Sequence, residues 1–565
     1  MNVEPKFDLA AETFGAMPIV NSFLARSQIE TTLRRHIDDK GLSGPDASTC
    51  LGVLLRNIII DRGPIYSING WGAPFRPDLI GLGPEETGRL NDDRVGRALD
   101  ALFDADRASM MTETVVRVIK EFNLGLDQFH NDSTTLSFSG LFKDADGRRK
   151  RGKNTVKITF GHNKDHRPDL KQLLWALTVT DDGAVPIHYK LWSGNTNDSP
   201  THRDTWDTLR TLTGRSDFLY VADCKLCATE TLNYIDSQGG KFITVLPRIR
   251  KEDAWFREYV QGHKIPWSVI AREKNPRSIF GPPNVWKAIE APAPSSDGYR
   301  VVWLWSSLMA ERDRDTRESL MADAILNLEQ LEMKLRKPRT RLKTRDAVVE
   351  VADRARGANA QRWVEYEISE EEIPLFHQEN RGRPGPGTRY KRETKARYHV
   401  KWLPSKDNIK YDARTDGMFP LLTNCRDMTL RDVFKKYKFQ PRLEKRHEQL
   451  KTVYHAAKVL LKKVTRIEGL LFLYFLAMLV QALIEREVRL GMVREGLKSL
   501  PLYSEDRACR APTTDKILKV FEGVQIHHLL SSGTEVQLFL PQLTPFQHRL
   551  LQLMSVDEAV YTISK

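Results

Sequence analysis

Three carboxylates far apart in the chain stand where an acid needs a reason: Asp132 in "QFHNDSTTLSFSG", Asp223 in "DFLYVADCKL" and Glu444 in "QPRLEKRHEQLK". The first falls inside a run of β-branched and aromatic residues that predicts a strand, so its charge is carried among residues that should be packing. The second ends an apolar run, at the strand end where α/β sheets tend to place functional groups, although an acid there is also suited to cap the next helix. The third shares a helical face with Glu448 and Lys451, three to four residues apart, and Glu448 is a rival one turn on. Carboxylates suit hard cations such as Mg²⁺, and a cation is what an acid on a packed strand calls for. Only a fold can gather three acids so distant in sequence. Without a cation they would repel one another, and at least one should bind its proton too tightly. Cys224 and Cys227 make a single Cys-x2-Cys, which is half a zinc site with no second pair, and they read as structural thiols.

The elements that must position these acids follow from periodicity. Residues 1–125 read as helices. "SQIETTLRRHIDD" opens with a capping-box pair, Ser27 and Glu30, while "DASTCLGVLLRNIII" and "NDDRVGRALDALF" carry apolar residues at helical spacing behind Asp and Asn caps. This region is a candidate DNA-reading bundle or an ordinary helical cap, and Arg34, Arg35, Arg94 and Arg97 are its candidates for phosphate contact. From about residue 126 strands take over: 128–140, then "TVKITFGH" with Val156, Ile158 and Phe160 on one face, then "LLWALTVTDD" and "AVPIHYKLW". Helix "SPTHRDTWDTLRTL", strand "DFLYVADCKL", helix "CATETLNYIDSQ" and strand "KFITVLP" follow this run of strands; hairpin-like strands first and helix-joined strands after them predict a mixed α/β sheet over 126–248. Residues 249–410 interrupt it with strands "GYRVVWLWSSL", "RWVEYEI" and "RYHVKWL", a charged helical arm from Arg312 to Arg356 and the connector "RGRPGPGTRY". This reads as a β-rich insertion with a helical arm. The core resumes over 411–490, with strand "TDGMFPLLTN" and a helix from Gln440 that has Pro441 in its first turn. Residues 491–565 form a mixed C-terminal region.

Composition sets limits on what such a chain does. At 565 residues with 40% hydrophobic content it can bury a large core and should divide into three or four units. Its 87 Lys and Arg against 74 Asp and Glu leave a formal charge of +13, which suits a polyanionic partner. Five scattered cysteines are too few for a disulfide framework and fit a reducing cytosol. "MNVEPKFDLA" lacks the pattern of a secretory signal. "GLLFLYFLAMLVQALI" contains Gln481 and reads as a helix buried in the core.

With these motifs in place, the chain resembles the DDE transposases of the insertion-sequence 4 group. "YKFQPRLEKRHEQLK" is similar to their Tyr-x2-Arg-x3-Glu-x6-Lys signature at Tyr437, Gln440, Glu444 and Lys451, with Gln440 where Arg is expected. "HNDST" and "VADC" look like the two Asp motifs, and "GHNKDHRPDLKQ", "LWSGNTND" and "DGMFPLLTN" look like the insertion-sequence 1634 branch. The resemblance covers about residues 125–485. It implies an RNase H-like catalytic core interrupted by a β-rich insertion, and cut-and-paste transposition of a mobile element with two bound Mg²⁺ or Mn²⁺ ions. It also implies that Asp132 would bridge the metals while Asp223 and Glu444 each hold one, since two ions can stabilise both the attacking and the leaving oxygen.

Under that resemblance the partner is double-stranded DNA, both terminal repeats and target, with a homodimer in the DNA complex and a bacterial cytoplasmic location. Tyr437 and Lys451 would contact end phosphates. Gln440 offers at most a neutral hydrogen bond, with Arg442 or Arg446 as substitutes. Tyr437 could also be packed, and Lys451 could pair with Glu448 or His447. The basic loop "GRRKRGKN" offers Arg148, Arg149, Lys150, Arg151 and Lys153 to a DNA backbone, or is a solvated hairpin tip; "LRKPRTRLKTR" is a second such cluster. Trp303 and Trp305 could stack on a flipped base or belong to the core. Two readings outside transposition remain: a metal-dependent nuclease that cuts without joining, and an inactive DNA-binding relic.

Overall fold

Side-chain caps decide where the N-terminal helices begin. In the computed structural model, which describes residues 7–38, 44–197, 200–275, 278, 280–337, 340–454 and 461–562, Asp46 accepts from the Thr49 amide and Asn91 from the Arg94 amide, each starting a helix. Ser27 does not cap. Its hydroxyl donates back to the Phe23 carbonyl at 2.5 Å, and the chain turns through a left-handed Gln28 into the next helix, so the expected capping box is absent.

The chain divides into two compact units, one of Met1–Thr244 with Lys435–Lys565, the other of Val245–Phe434. The first unit begins with strand β1 (Phe7–Thr13) and helices α1 (Met17–Ser27), α2 (Ile29–His36), α3 (Ala47–Ile60), α4 (Ile68–Gly72), α5 (Asp92–Asp104) and α6 (Arg107–Glu121). There follow β2 (Gln128–Phe138), β3 (Lys171–Thr180), β4 (Pro186–Ser193), α7 (Thr201–Thr213), β5 (Leu219–Ala222), α8 (Thr229–Ser237) and β6 (Lys241–Val245). These strands lie in the order β4-β3-β2-β5-β6. β2, β3 and β4 pair antiparallel, whereas β2, β5 and β6 run parallel, which makes the sheet mixed. The segment "TVKITFGH" is not a regular strand. It makes single bridges at Lys157 and Thr159, and of its three expected inward residues Ile158 is buried while Phe160 is 55% exposed.

The second unit carries α9 (Lys251–Gly262), β7 (Ser268–Glu273), β8 (Asn284–Glu290), β9 (Arg300–Ser306), α10 (Ser307–Leu335) and α11 (Arg345–Arg356). It continues with β10 (Val364–Gln378), β11 (Tyr390–Pro404), α12 (Lys406–Ala413), β12 (Met418–Thr423) and α13 (Leu430–Tyr437), whose last turn leads back to the first unit. Its strands β12, β9, β8 and β7 form an antiparallel run. β10 and β11 make a separate long hairpin, whose base packs Val364, Tyr398 and Val400 against Leu328 and Leu331 of α10 and Val348 of α11. Pro338 and Arg339 of the second basic cluster lie outside the described residues, as does Asp198 of "LWSGNTND".

The first unit ends with α14 (Gln440–Glu448), α15 (Val464–Arg494), β13 (Leu500–Pro501), β14 (Ala508–Cys509), α16 (Thr514–Lys519), β15 (Gln525–Ser531), β16 (Thr534–Phe539) and α17 (Pro545–Met554). α14 runs on as a π-turn over Gln449–Val453; the helix expected to reach Leu461 passes through 455–460, outside the described residues. α15 is long and apolar enough by composition to cross a membrane, yet its apolar stretch is wholly buried against α3, α5, α17 and β4. β1 pairs antiparallel with β15 along its full length, so the two ends of the chain share one sheet.

Candidate acid site

The parallel register of β2 and β5 brings the first two acids together. Asn131 pairs with Ala222, so Asp132 and Asp223, the residue just past the end of β5, follow side by side on neighbouring parallel chain segments. Asp132 pairs with Leu177 of β3 on its other side, which fixes it in the middle of the sheet. Its Oδ1 accepts from the Ser133 amide at 2.8 Å. Asp223 does cap the turn that follows: its Oδ1 accepts from the Lys225 amide at 2.9 Å, while its carbonyl accepts from Thr244 Oγ1 at 2.6 Å. His202 Nε2 lies 4.0 Å from the Asp223 carboxylate.

α14 supplies the third acid by leaning on β2. Gln440, Glu444 and His447 fall at i, i+4 and i+7 and therefore share a face, and Gln440 bonds the helix to the strand. The Gln440 amide donates to the Asn131 carbonyl at 3.2 Å and its Oε1 meets His130 Nδ1 at 2.9 Å. His447 is buried, with Nε2 3.7 Å from Asp132 Oδ2. Glu444 itself is exposed at the rim, as is Glu448.

The electrostatics join the three. Asp132 is pushed up to about 7, first by burial and then by the charges of Asp223 and Glu444, against the pull of Lys164 and the Ser133 amide. One acid was expected to be raised by mutual repulsion; removal from water is the larger cause. Tyr437 is half-buried and pushed up to about 12 by burial, then by Glu444, Asp223, Cys224 and Asp132, so its phenol stays protonated in the field of all three acids. Burial pushes His447 down to about 3 and His130 to about 4, leaving both imidazoles neutral.

In kind, this donor set fits a hard divalent cation: oxygen ligands only, with proton affinity raised where they crowd. In arrangement the ligand set is open, because among the described residues no three His, Cys, Asp or Glu side chains are gathered closely enough to hold an ion.

Other expected contacts resolve differently. Gln440 is buried and wholly engaged by β2, so it is not presented to DNA. Arg446 is buried too, bonding to the Gly183 and Ala184 carbonyls and to Glu485, whereas Arg442 is exposed with its guanidinium over the Phe439 ring. Lys451 pairs with neither Glu448 nor His447: it donates to both oxygens of Asp165, at 2.7 and 3.0 Å. Within the basic loop, Arg151 holds Asp104, Lys150 holds Asp144 and Lys153 donates to the Ala105 carbonyl. Arg148 and Arg149 remain exposed. Arg35 is tied to Glu113 and Arg94 to the Pro45 carbonyl, while Arg34 and Arg97 are exposed. Trp303 is core, fully buried against Phe256 at 4.3 Å between ring centres, which removes it as a base-stacking platform; Trp305 is half-buried with Lys287 over its ring. Neither Cys224 nor Cys227 is in a disulfide.

Lys164, 3.8 Å from Asp132, was not singled out by residue type, although it lies inside the quoted "GHNKDHRPDLKQ". No family model matches the chain, and no curated protein matches it. A cryo-EM structure of the piggyBac transposase synaptic complex with hairpin DNA is similar over 89% of this chain and 76% of that one. The two share 10% identity at a TM-score of 0.35, a likeness too distant to bear on what this chain does.

Proposed function

We propose that the chain is a DNA transposase of the DDE type, cleaving and rejoining strands at the ends of an insertion sequence of the 4 group, 1634 branch. The observation that carries this reading is the β2–β5 register, which sets Asp132 beside Asp223, with α14 docked on β2 so that Glu444 adds its charge to the same place. The mixed sheet, with acids on its central strand, on the adjoining parallel strand and on a later helix, supports an RNase H-like core. Asp132, Asp223 and Glu444 would hold two Mg²⁺ or Mn²⁺ ions, which when bound stabilise charge on the attacking and leaving oxygens of a phosphodiester.

The rest of the work falls to the chain's own groups. Tyr437, kept protonated, donates to a phosphate oxygen. Lys451 and the exposed Arg442 bind the end backbone, Arg442 in place of the missing Arg at Gln440. Arg148 and Arg149 face outward for the flanking duplex. Double-stranded DNA, terminal repeats and target alike, is the partner, and two protomers bring two ends together in the cytoplasm of a bacterium.

The test is a strand-transfer assay in Mg²⁺ on DNA carrying the element's terminal repeats. Joined product that disappears with Glu444→Gln is the expected result. Cleavage without joining makes the protein a nuclease, and binding without cleavage makes it a relic.

A further inference from the structure

The connection between β2 and β3 contains a second charged feature that the acids alone do not explain. Lys164 reaches back to β2, where its ammonium donates to the Ser133 carbonyl at 2.6 Å and to Ser133 Oγ at 2.8 Å, and stands 3.8 Å from Asp132 Oδ1. The loop that delivers it is pinned on every side. Asn163 is buried, donates to Ser137 Oγ at 2.8 Å and accepts from the Asp165 amide at 2.7 Å. Gln172 donates to the His162 and Gly194 carbonyls. Gly161 passes so close to Gly194 that a Cβ would lie 2.0 Å from its carbonyl oxygen, so no larger residue fits. On the far side Asp165 takes Lys451 from the turn after α14. A flexible ammonium held this firmly against one acid of a cluster is unlike a solvated surface lysine, whose pairings contribute little.

Resting on the acid-site reading above, we propose that Lys164 is a built-in counter-ion. It is a positioning residue whose ammonium supplies positive charge beside Asp132 while no metal is bound, and which therefore opposes entry of a divalent ion into the DNA-free protein. The charges around it agree. Its ammonium lies beside Asp132, which follows directly on the Asn131–Ala222 pair of β2 and β5. Until DNA brings its own phosphates, this arrangement holds the acids together and leaves them a poor metal trap.

The experiment is titration of the full-length, DNA-free protein with Mn²⁺, followed by calorimetry and by the loss of free-ion paramagnetic signal. Lys164→Met, which keeps the stem and removes the charge, is expected to bind Mn²⁺ about tenfold tighter than the native protein, as removal of a like charge some 4 Å from the acid would allow. Lys164→Arg, which keeps the charge, should bind like the native protein. Equal or weaker binding by Lys164→Met overturns the proposal. If Lys164→Met is insoluble in chelator, recovery on adding Mn²⁺ supports it and failure to recover overturns it. Asp132→Asn separates the two readings. Native binding that vanishes in Asp132→Asn upholds the acid site whatever Lys164 does, whereas an absence of Mn²⁺ binding in the native protein and Lys164→Met alike sinks both.

Discussion

Two loops in the same connection from β2 to β3 carry positive charge, and they use it in opposite ways. The first, residues 147–154, is the denser: its five Lys and Arg made it the evident DNA-facing candidate. Three of its five charges meet a carboxylate locally, Arg151 at Asp104, Lys150 at Asp144 and Arg148 at Asp146, in pairs partly open to water. The second, around 161–170, contributes a single lysine to the acid cluster, yet that lysine sits beside an Asp whose proton affinity is shifted to about 7. The carboxylate beside the sparse loop's lysine is the more buried one, so that pairing is screened less than the pairs of the dense loop, which water and salt weaken.

The comparison can be broken at several levels. If the buried site governs chemistry, Asp132→Asn should lower DNA cleavage by about a thousandfold, some 4 kcal/mol of barrier. Arg148→Ala with Arg149→Ala should leave the cleavage rate of bound DNA unchanged and flatten only the salt dependence of binding; the reverse pattern in single-turnover assays would invert the ranking of the two loops. Among structural charges, Glu485→Ala strands Arg446 in the interior and should destabilise the fold by roughly 3–5 kcal/mol in urea unfolding, since a broken buried pair leaves an uncompensated charge.

His188 extends the lesson to protons. It is buried on β4 and burial pushes it down to about 4, well under its ordinary 6.5. The unfolded chain therefore binds a proton that the folded one refuses. Stability from this residue is intact above about pH 6.5 and is lost as pH falls toward 4, by roughly 3 kcal/mol at most. His188→Leu should remove that part of the acid limb, read from unfolding free energies at pH 7 and pH 4.5. Smallest of all, Arg151→Ala breaks an exposed pair and should change stability by less than about 1 kcal/mol.

Much of this was legible in the sequence, for identifiable reasons. Asp46 and Asn91 could be read as caps because a short acceptor before an apolar helical run has few other uses. The strand and helix order from β2 to β6 followed from periodicity, and the parallel register then placed Asp132 by Asp223. What failed were features decided by distant partners. Ser27 looked like a cap, but its hydroxyl was claimed by the turn behind it. "TVKITFGH" alternates as a strand does, yet it makes only isolated bridges to its neighbours. Gln440 was weighed as a phosphate contact, whereas His130 on β2 had already taken its amide oxygen. Lys164 was invisible by type, since nothing about one lysine in a polar loop announces that its stem will fold back onto a strand.

The unit that holds the acids is discontinuous, and this puts them on a schedule during synthesis. Asp132 and Asp223 emerge early, but the helix bearing Glu444 follows the whole of Val245–Phe434. At ribosomal speeds of about 5–20 residues per second, that segment delays the third acid by roughly 10–40 s. The strand that clasps β1, β15, comes later still. A ribosome that stalls or a message that is cut short anywhere in the interval therefore releases a polypeptide with two acids and no third, so the architecture itself withholds the complete acid cluster from unfinished chains.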